Sequence, residues 1–137
     1  MYKYIVFALL SLFLLSCSSS NDEIDKANIS EIIYRIQEAY NQRELPVLMG
    51  YYHRDYLHSG KAYQSAYSTW EHRSTIYGTI AISVVDIEIY DEDFAYTQLM
   101  LYFYNDDTPI GPFTAEDISF FYRVDGKWQI YGNQLPE

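Results

Sequence analysis

The stretch Thr79–Tyr104, TIAISVVDIEIYDEDFAYTQLMLYFY, decides the fold. Ile80, Ile82 and Val84 alternate with Ala81 and Ser83, the two-residue period of a half-buried strand. The phase then slips: Val85, Ile87 and Ile89 are apolar, while Asp86, Glu88 and Tyr90 take the other face. Two adjacent valines at the slip predict a β-bulge, where one extra residue bends the strand and keeps its buried side buried. In the second arm, Ala95, Thr97, Leu99, Leu101 and Phe103 form one set; Phe94, Tyr96, Gln98, Met100, Tyr102 and Tyr104 form the other. With Asp91-Glu92-Asp93 as the turn, Tyr90 meets Phe94, Ile89 meets Ala95, Ile87 meets Thr97 and Val85 meets Leu99. A bulge that absorbs Val84 then sets Ile82 against Leu101 and Ile80 against Phe103. One face is aliphatic along its length, and the other is aromatic and polar. A slip of one residue would mix the two sets.

Working outward from the hairpin, Ile29, Ile32, Ile33, Ile36, Ala39 and Tyr40 fall at helical spacing and give one apolar face. Asn28 and Glu31 are placed to form a capping box at the start of this helix. Arg35, Glu38, Asn41 and Gln42 lie off the apolar face and are expected in water. Pro46 suits the first turn of a second, short helix. A third helix presents Tyr63, Ala66, Tyr67, Trp70 and Tyr77, and Gly78 is expected to end it with a left-handed cap. Beyond the hairpin, Asn105–Pro112 reads as a loop because it combines Asp106, Asp107, Pro109, Gly111 and Pro112. Ile118, Phe120, Tyr122 and Val124 then alternate with Ser119, Phe121 and Arg123, and Asp125-Gly126 is a two-residue hairpin turn. Helices followed by antiparallel strands predict an α+β domain in which a curved antiparallel sheet wraps the N-terminal helix, with two further short helices.

Composition narrows the function classes. The 137 residues carry 19 acids against 9 bases, a formal charge of -10. That balance argues against nucleic acid, whose phosphates demand Lys and Arg, and against electrostatic attachment to anionic lipid. No cofactor is expected. The 16 tyrosines suit half-wet faces and interfaces, since each joins a large apolar ring to a polar tip.

The N-terminus carries an address. Lys3 precedes the apolar run Ile5–Leu15, which is broken by Ser11. The run is shorter than the ~20 residues a membrane span needs, so it reads as a signal peptide. Leu14-Leu15-Ser16-Cys17, followed by Ser18-Ser19-Ser20, resembles a bacterial lipobox. The resemblance implies that residues 1–16 are removed and that Cys17, the sole cysteine, becomes a diacylated N-terminus. Two or three acyl chains make attachment to the bilayer effectively permanent. Removal of residues 1–16 deletes one base, Lys3, and no acid, taking the formal charge from -10 to -11. Residues 17–27 are expected as the lipidated cysteine and a flexible tether that includes the solvated acids Asp22, Glu23 and Asp25, and residues 28–137 as the domain. Ser18 resembles a sorting residue for the outer membrane, so the expected address is the bacterial cell envelope, lipid-anchored, at the outer membrane.

The order of elements over Ile29–Gln134 resembles the nuclear transport factor 2-like family, which has the cystatin-like cone fold. The resemblance rests on helix one, the Pro46 helix, the aromatic segment Tyr51–Gly60, the Trp70 helix and the closing hairpin with Gly126-Lys127-Trp128-Gln129-Ile130-Tyr131. It implies a conical pocket between sheet and helix one, and a sheet face that forms homodimers. The family holds isomerases, dehydratases, hydrolases, cyclases and non-catalytic binders, so the fold leaves function open.

Three groups of residues carry the functional expectations. His53, Asp55 and His58 are the catalytic candidates, because Asp55 placed beside a histidine orients it to exchange a proton with a ligand. The same residues lack regular spacing for zinc, and a fourth ligand is missing unless His72 joins, so no metal is expected. Tyr52, Tyr56 and Trp70, with Tyr63, are candidates to line an apolar pocket, and Thr97 and Tyr122 are its polar handles. Asp86 and Glu88 point away from it. Tyr96, Tyr102 and Tyr104 are the candidate dimer face. The expectation is an envelope lipoprotein whose domain binds a small apolar ligand or a protein partner. The alternative is an enzyme of the isomerase, dehydratase or cyclase kind working through the His/Asp group.

Overall fold

The computed structural model describes residues 2–134, with side chains described from Asn21 to Gln134. Cys17 and the lipobox lie outside the residues whose side chains are described. The elements run α1 (Tyr2–Asn41), α2 (Leu45–Met49), β1 (Leu57–His58), β2 (Lys61–Ala62) and α3 (Tyr63–Ile76), then β3 (Thr79–Ile89), β4 (Phe94–Asn105), β5 (Thr108–Thr114), a 3-10 turn (Glu116–Ile118), β6 (Phe120–Val124) and β7 (Lys127–Ile130). A small β1-β2 hairpin stands apart from the main sheet, whose order is β3-β4-β6-β7 with β5 also paired to β4.

The β3-β4 register follows the sequence pattern. Ile80 lies opposite Phe103, Ile82 opposite Leu101, Ile87 opposite Thr97 and Ile89 opposite Ala95. The Tyr90 N–H donates to the Phe94 carbonyl at 3.0 Å, which closes the turn at Asp91-Glu92-Asp93. The bulge falls one residue later than expected: Val84 faces Leu99 and Val85 is the unpaired residue. Both valines are apolar and β-branched, so the pattern alone does not say which is extruded.

Helix α1 lies in the concave side of this sheet. Ile29, Ile33, Ile36, Ala39 and Tyr40 are buried against Ile80, Ile87, Leu99, Leu101 and Phe103 in one core, held by the hydrophobic effect at roughly 25 cal/mol per Å² of apolar surface removed from water. The helix also closes the open edge of β3. Asn41 accepts from the Ile80 N–H (2.8 Å) and donates to the Ile80 carbonyl (3.1 Å). Gln37 accepts from the Ile82 N–H at 2.7 Å. Asn41, expected in water, is thus a surrogate strand for backbone groups that an edge otherwise leaves unpaired.

Four further expectations change. Asn28 caps nothing, because α1 runs straight through it, and Asp25 is already buried at 8% exposure. Its carboxylate accepts from Trp128 Nε1 (3.0 Å) and from Arg123 Nη1 (3.1 and 3.3 Å), so the packed part of the helix begins before residue 28. The loop expected over Asn105–Pro112 is mostly strand, for β5 pairs with β4 from Met100 to Asn105. An outer strand tolerates Pro109 and Pro112, whose missing N–H groups need no partner there. Gly78 does not take a left-handed cap. Its N–H donates to the Tyr104 carbonyl at 2.8 Å, and a Cβ would meet that oxygen at 2.8 Å, so close approach requires the glycine. Finally, the inward residue of β6 is Phe121, fully buried opposite Ala95, and not Tyr122, which lies opposite Phe94 on the outer face. Ile118 is buried from the 3-10 turn, not from a strand, so an alternation continued forward from it runs out of phase with β6.

Candidate functional site

The interior of the cone is filled by the residues expected to line it. Trp70 (1% exposed) comes from the buried face of α3 and Tyr52 (3%) from the segment after α2. The indole Nε1 donates to the Tyr52 hydroxyl at 2.7 Å. Burial pushes the Tyr52 phenol well above its ordinary value, an effect that Asp117 strengthens and the bond from Trp70 opposes. Tyr56 packs edge-on to Tyr52 at 5.0 Å, and its hydroxyl donates to the Asp117 carbonyl at 3.0 Å. Burial also raises the Tyr56 phenol, so both tyrosines are neutral donors or acceptors and not bases at neutral pH. Thr97 is wholly buried, and its hydroxyl donates to the Ser119 carbonyl at 3.2 Å. Each polar handle inside the cone is therefore spent on another part of the fold.

The three catalytic candidates do not meet. His53 and Asp55 line one surface groove with Arg54 and Tyr63, while His58 lines a separate cleft. Within the first group, His53 Nδ1 accepts the backbone N–H of Asp55 at 3.0 Å. That bond spends the nitrogen a carboxylate would hold as N–H, and Asp55 Oδ2 stands 3.9 Å away on a side chain 77% exposed. The His53 ring stacks on Tyr131 at 4.8 Å. This histidine caps a turn and covers an aromatic ring, and its geometry lacks the oriented base of a proton-transfer pair.

The His58 cleft has a volume of about 350 Å³, and sequence reasoning missed most of its lining. The β1-β2 hairpin supplies His58, Ser59 and Lys61, α3 supplies Ser65, Thr69 and Arg73, and Tyr56 and Asp117 close it. The hairpin is pinned by the C-terminal segment: Ser59 N–H donates to Asn133 Oδ1 (2.8 Å) and Gly60 N–H to Gln134 Oε1 (2.7 Å). Gly132 adopts φ +89°, and a Cβ there would sit 2.2 Å from the Leu57 carbonyl oxygen, so only glycine lets the two segments approach. Arg73 lies over the Trp70 ring at 4.7 Å and 3.6 Å from Asp117 Oδ2. Among the described residues, His58 Nδ1 and Arg73 Nη1 are buried without a hydrogen-bond partner.

On the outer face of the sheet, Tyr102 and Tyr104 stand at one end, opposite Ala81 and Thr79. Asp86, Glu88, Tyr90, Tyr96 and Gln98 surround a shallow depression of about 210 Å³ at the other end. A bond to Glu88 raises the Tyr90 phenol. Tyr96, Tyr102 and Tyr104 are each half-buried, and Phe120 packs edge-on against Tyr96 at 5.1 Å. Tyr122, on this face, packs against Tyr131 at 5.5 Å.

No family model matches the chain, and no curated protein matches it. Solved structures do resemble it. A nuclear transport factor 2-like protein of unknown function from Shewanella oneidensis superposes with a TM-score of 0.64 at 15% identity, covering 79% of this chain and 95% of that one. A cystatin-like-fold domain of unknown function from Nostoc punctiforme gives 0.57 at 13% identity, over 80% and 74%. A ketosteroid isomerase-like protein from Erwinia carotovora gives 0.56 at 14% identity, over 77% and 90%. At these identities the likeness is one of backbone and not of site residues. The chain has the nuclear transport factor 2-like, or cystatin-like, cone fold.

Proposed function

We propose that the chain is an envelope lipoprotein whose cone-fold domain is an interaction module, anchored through Cys17 and working as a homodimer through its outer sheet face. The observation that supports an interaction module over a ligand chamber or an enzyme is the filled cone: Trp70, Tyr52, Tyr56 and Thr97 are 0–3% exposed and bonded within the fold. A chamber for an apolar ligand needs those groups to line open space, and an acid–base enzyme needs a base within reach of a substrate. The partner surface is the second copy's own face. A two-fold axis across the sheet brings the Tyr102/Tyr104 end of one copy onto the Asp86/Glu88 end of the other. Phenol O–H groups then donate to carboxylates, and charge-assisted bonds of that kind are about twice as strong as neutral ones.

Two measurements test this. Radiolabelled palmitate should enter the wild-type chain expressed in a Gram-negative host and not Cys17→Ala, which should leave the membrane fraction. Ultracentrifugation of the unlipidated polypeptide that starts at Ser18 should give a dimer at roughly 50 μM, enough to fill a micromolar site, and Tyr102→Ser/Tyr104→Ser should shift it to monomer. A wild-type monomer at that concentration refutes the interface.

A further inference from the structure

We propose that the cleft between the β1-β2 hairpin and α3 binds a small molecule through an oxyanion, a carboxylate or phosphate group, held by Arg73, Lys61 and His58. The proposal is independent of the dimer.

Charge favours an anion in this cleft. In a chain with 19 acids and 9 bases, this cleft gathers Lys61 and Arg73 around one carboxylate, Asp117. Asp117 offsets part of the Arg73 charge, but at 3.6 Å it does not satisfy Nη1 by hydrogen bonding. Lys61 is left to balance an incoming anion.

Hydrogen bonding in the cleft is incomplete. His58 is 9% exposed, and its Nδ1 is buried without a partner among the described residues, as is Arg73 Nη1. A buried polar group left unpaired costs about 1–3 kcal/mol, so two in the lining of one cleft mark a place where a partner is missing. Both atoms are closed to solvent, so a small rotation of each side chain toward the cleft makes them donors to an oxyanion: guanidinium N–H always, and imidazole N–H in the appropriate tautomer.

The start of α3 lies at the same cleft. Ser65, in the first turn of α3, lines this cleft beside Lys61 of β2, and Ala62 at the helix N-cap makes no side-chain bond to the free N–H groups. A helix N-terminus carries about half a positive charge, which favours an anion there. Ser59, Ser65 and Thr69 add hydroxyls along the wall. A volume of about 350 Å³ lies at the small end of the roughly 300–1,000 Å³ range of ligand pockets, so the occupant is a small metabolite-sized acid and not a lipid chain.

The test is isothermal titration of the full-length chain in neutral-detergent micelles with inorganic phosphate, with acetate, and with chloride at matched ionic strength. Saturable binding of phosphate alone assigns the phosphate class, of acetate alone the carboxylate class, and of both a general oxyanion site; chloride gives dilution heats only. Arg73→Gln should weaken binding about tenfold, the loss of one charge-assisted bond, and Lys61→Gln should weaken it several-fold. Lys127→Gln, in the β6-β7 hairpin, should leave it unchanged. Arg73 also packs on Trp70, so Lys61→Gln, on an exposed residue, provides the reading if Arg73→Gln does not fold. The His58 ring resonances should shift along the titration. Absence of saturable binding by either oxyanion, or equal loss in Lys61→Gln and Lys127→Gln, overturns the proposal.

Discussion

Replacing Asp25 with alanine should remove a latch between the start of the packed helix and the far end of the sheet. The carboxylate is 8% exposed and accepts from Trp128 Nε1 at 3.0 Å and from Arg123 Nη1 at 3.1 Å. Hydrogen bonds to a charged group contribute about 1.5–3 kcal/mol each. Part of that is offset by the cost of burying the carboxylate itself. Arg123 retains Asp93 at 3.5 Å, the Glu92 carbonyl and the face of Trp128 at 4.9 Å, so its share of the loss is small. The indole N–H is left with no acceptor, and that sets the scale. Asp25→Ala should therefore cost about 2–3 kcal/mol, and Asp25→Asn, which keeps an acceptor for the indole, about 1 kcal/mol. Urea unfolding followed by tryptophan fluorescence measures both. A cycle with Trp128→Phe should return a coupling of about 1 kcal/mol, because the two groups share one bond. If Asp25→Ala falls within about 0.5 kcal/mol of wild type, as a solvated surface substitution does, residues 21–27 are a loose leash and the latch is wrong.

Three other perturbations read separate parts of the structure. Tyr52 is neutral when folded, and its phenol is held well above the ordinary value; the unfolded chain alone ionises near pH 10, so stability is intact below that pH and falls above it by about 1.4 kcal/mol per pH unit, which Tyr52→Phe should remove from an alkaline unfolding series. Gly132→Ala places a Cβ 2.2 Å from the Leu57 carbonyl oxygen at φ +89°, and should cost more than about 2 kcal/mol and release the β1-β2 hairpin to faster amide exchange. Asn41→Ala strips both bonds to Ile80 and should cost about 1–3 kcal/mol while deprotecting the Ile80 amide; unchanged exchange at Ile80 would show that the β3 edge does not depend on the helix.

What the sequence by itself determined was what short-range periodicity encodes. The alternation in Thr79–Tyr104 defined two strands, their facing and, apart from the choice between Val84 and Val85, their register, because a one-residue slip turns a buried face outward. Ile29–Tyr40 defined the buried face of α1 in the same way. Asp125-Gly126 defined a tight turn, with both residues at positive φ as that turn requires. Tertiary structure alone decided the rest, because it depends on residues far apart in the chain. Asp25 reads as a solvated acid until Trp128 and Arg123 are beside it, and Asn41 until the edge of β3 is. The proline-bearing β5 is a strand only because β4 offers it an edge. Trp70 and Tyr52 were legible as aromatic residues near a cone, but whether they line a chamber or fill it depends on one 2.7 Å bond between α3 and the segment after α2. His58 was legible as chemistry. Its separation from His53 and its company with Lys61 and Arg73 follow from how the β1-β2 hairpin is pinned by Asn133 and Gln134 against α3, a contact that no local pattern encodes.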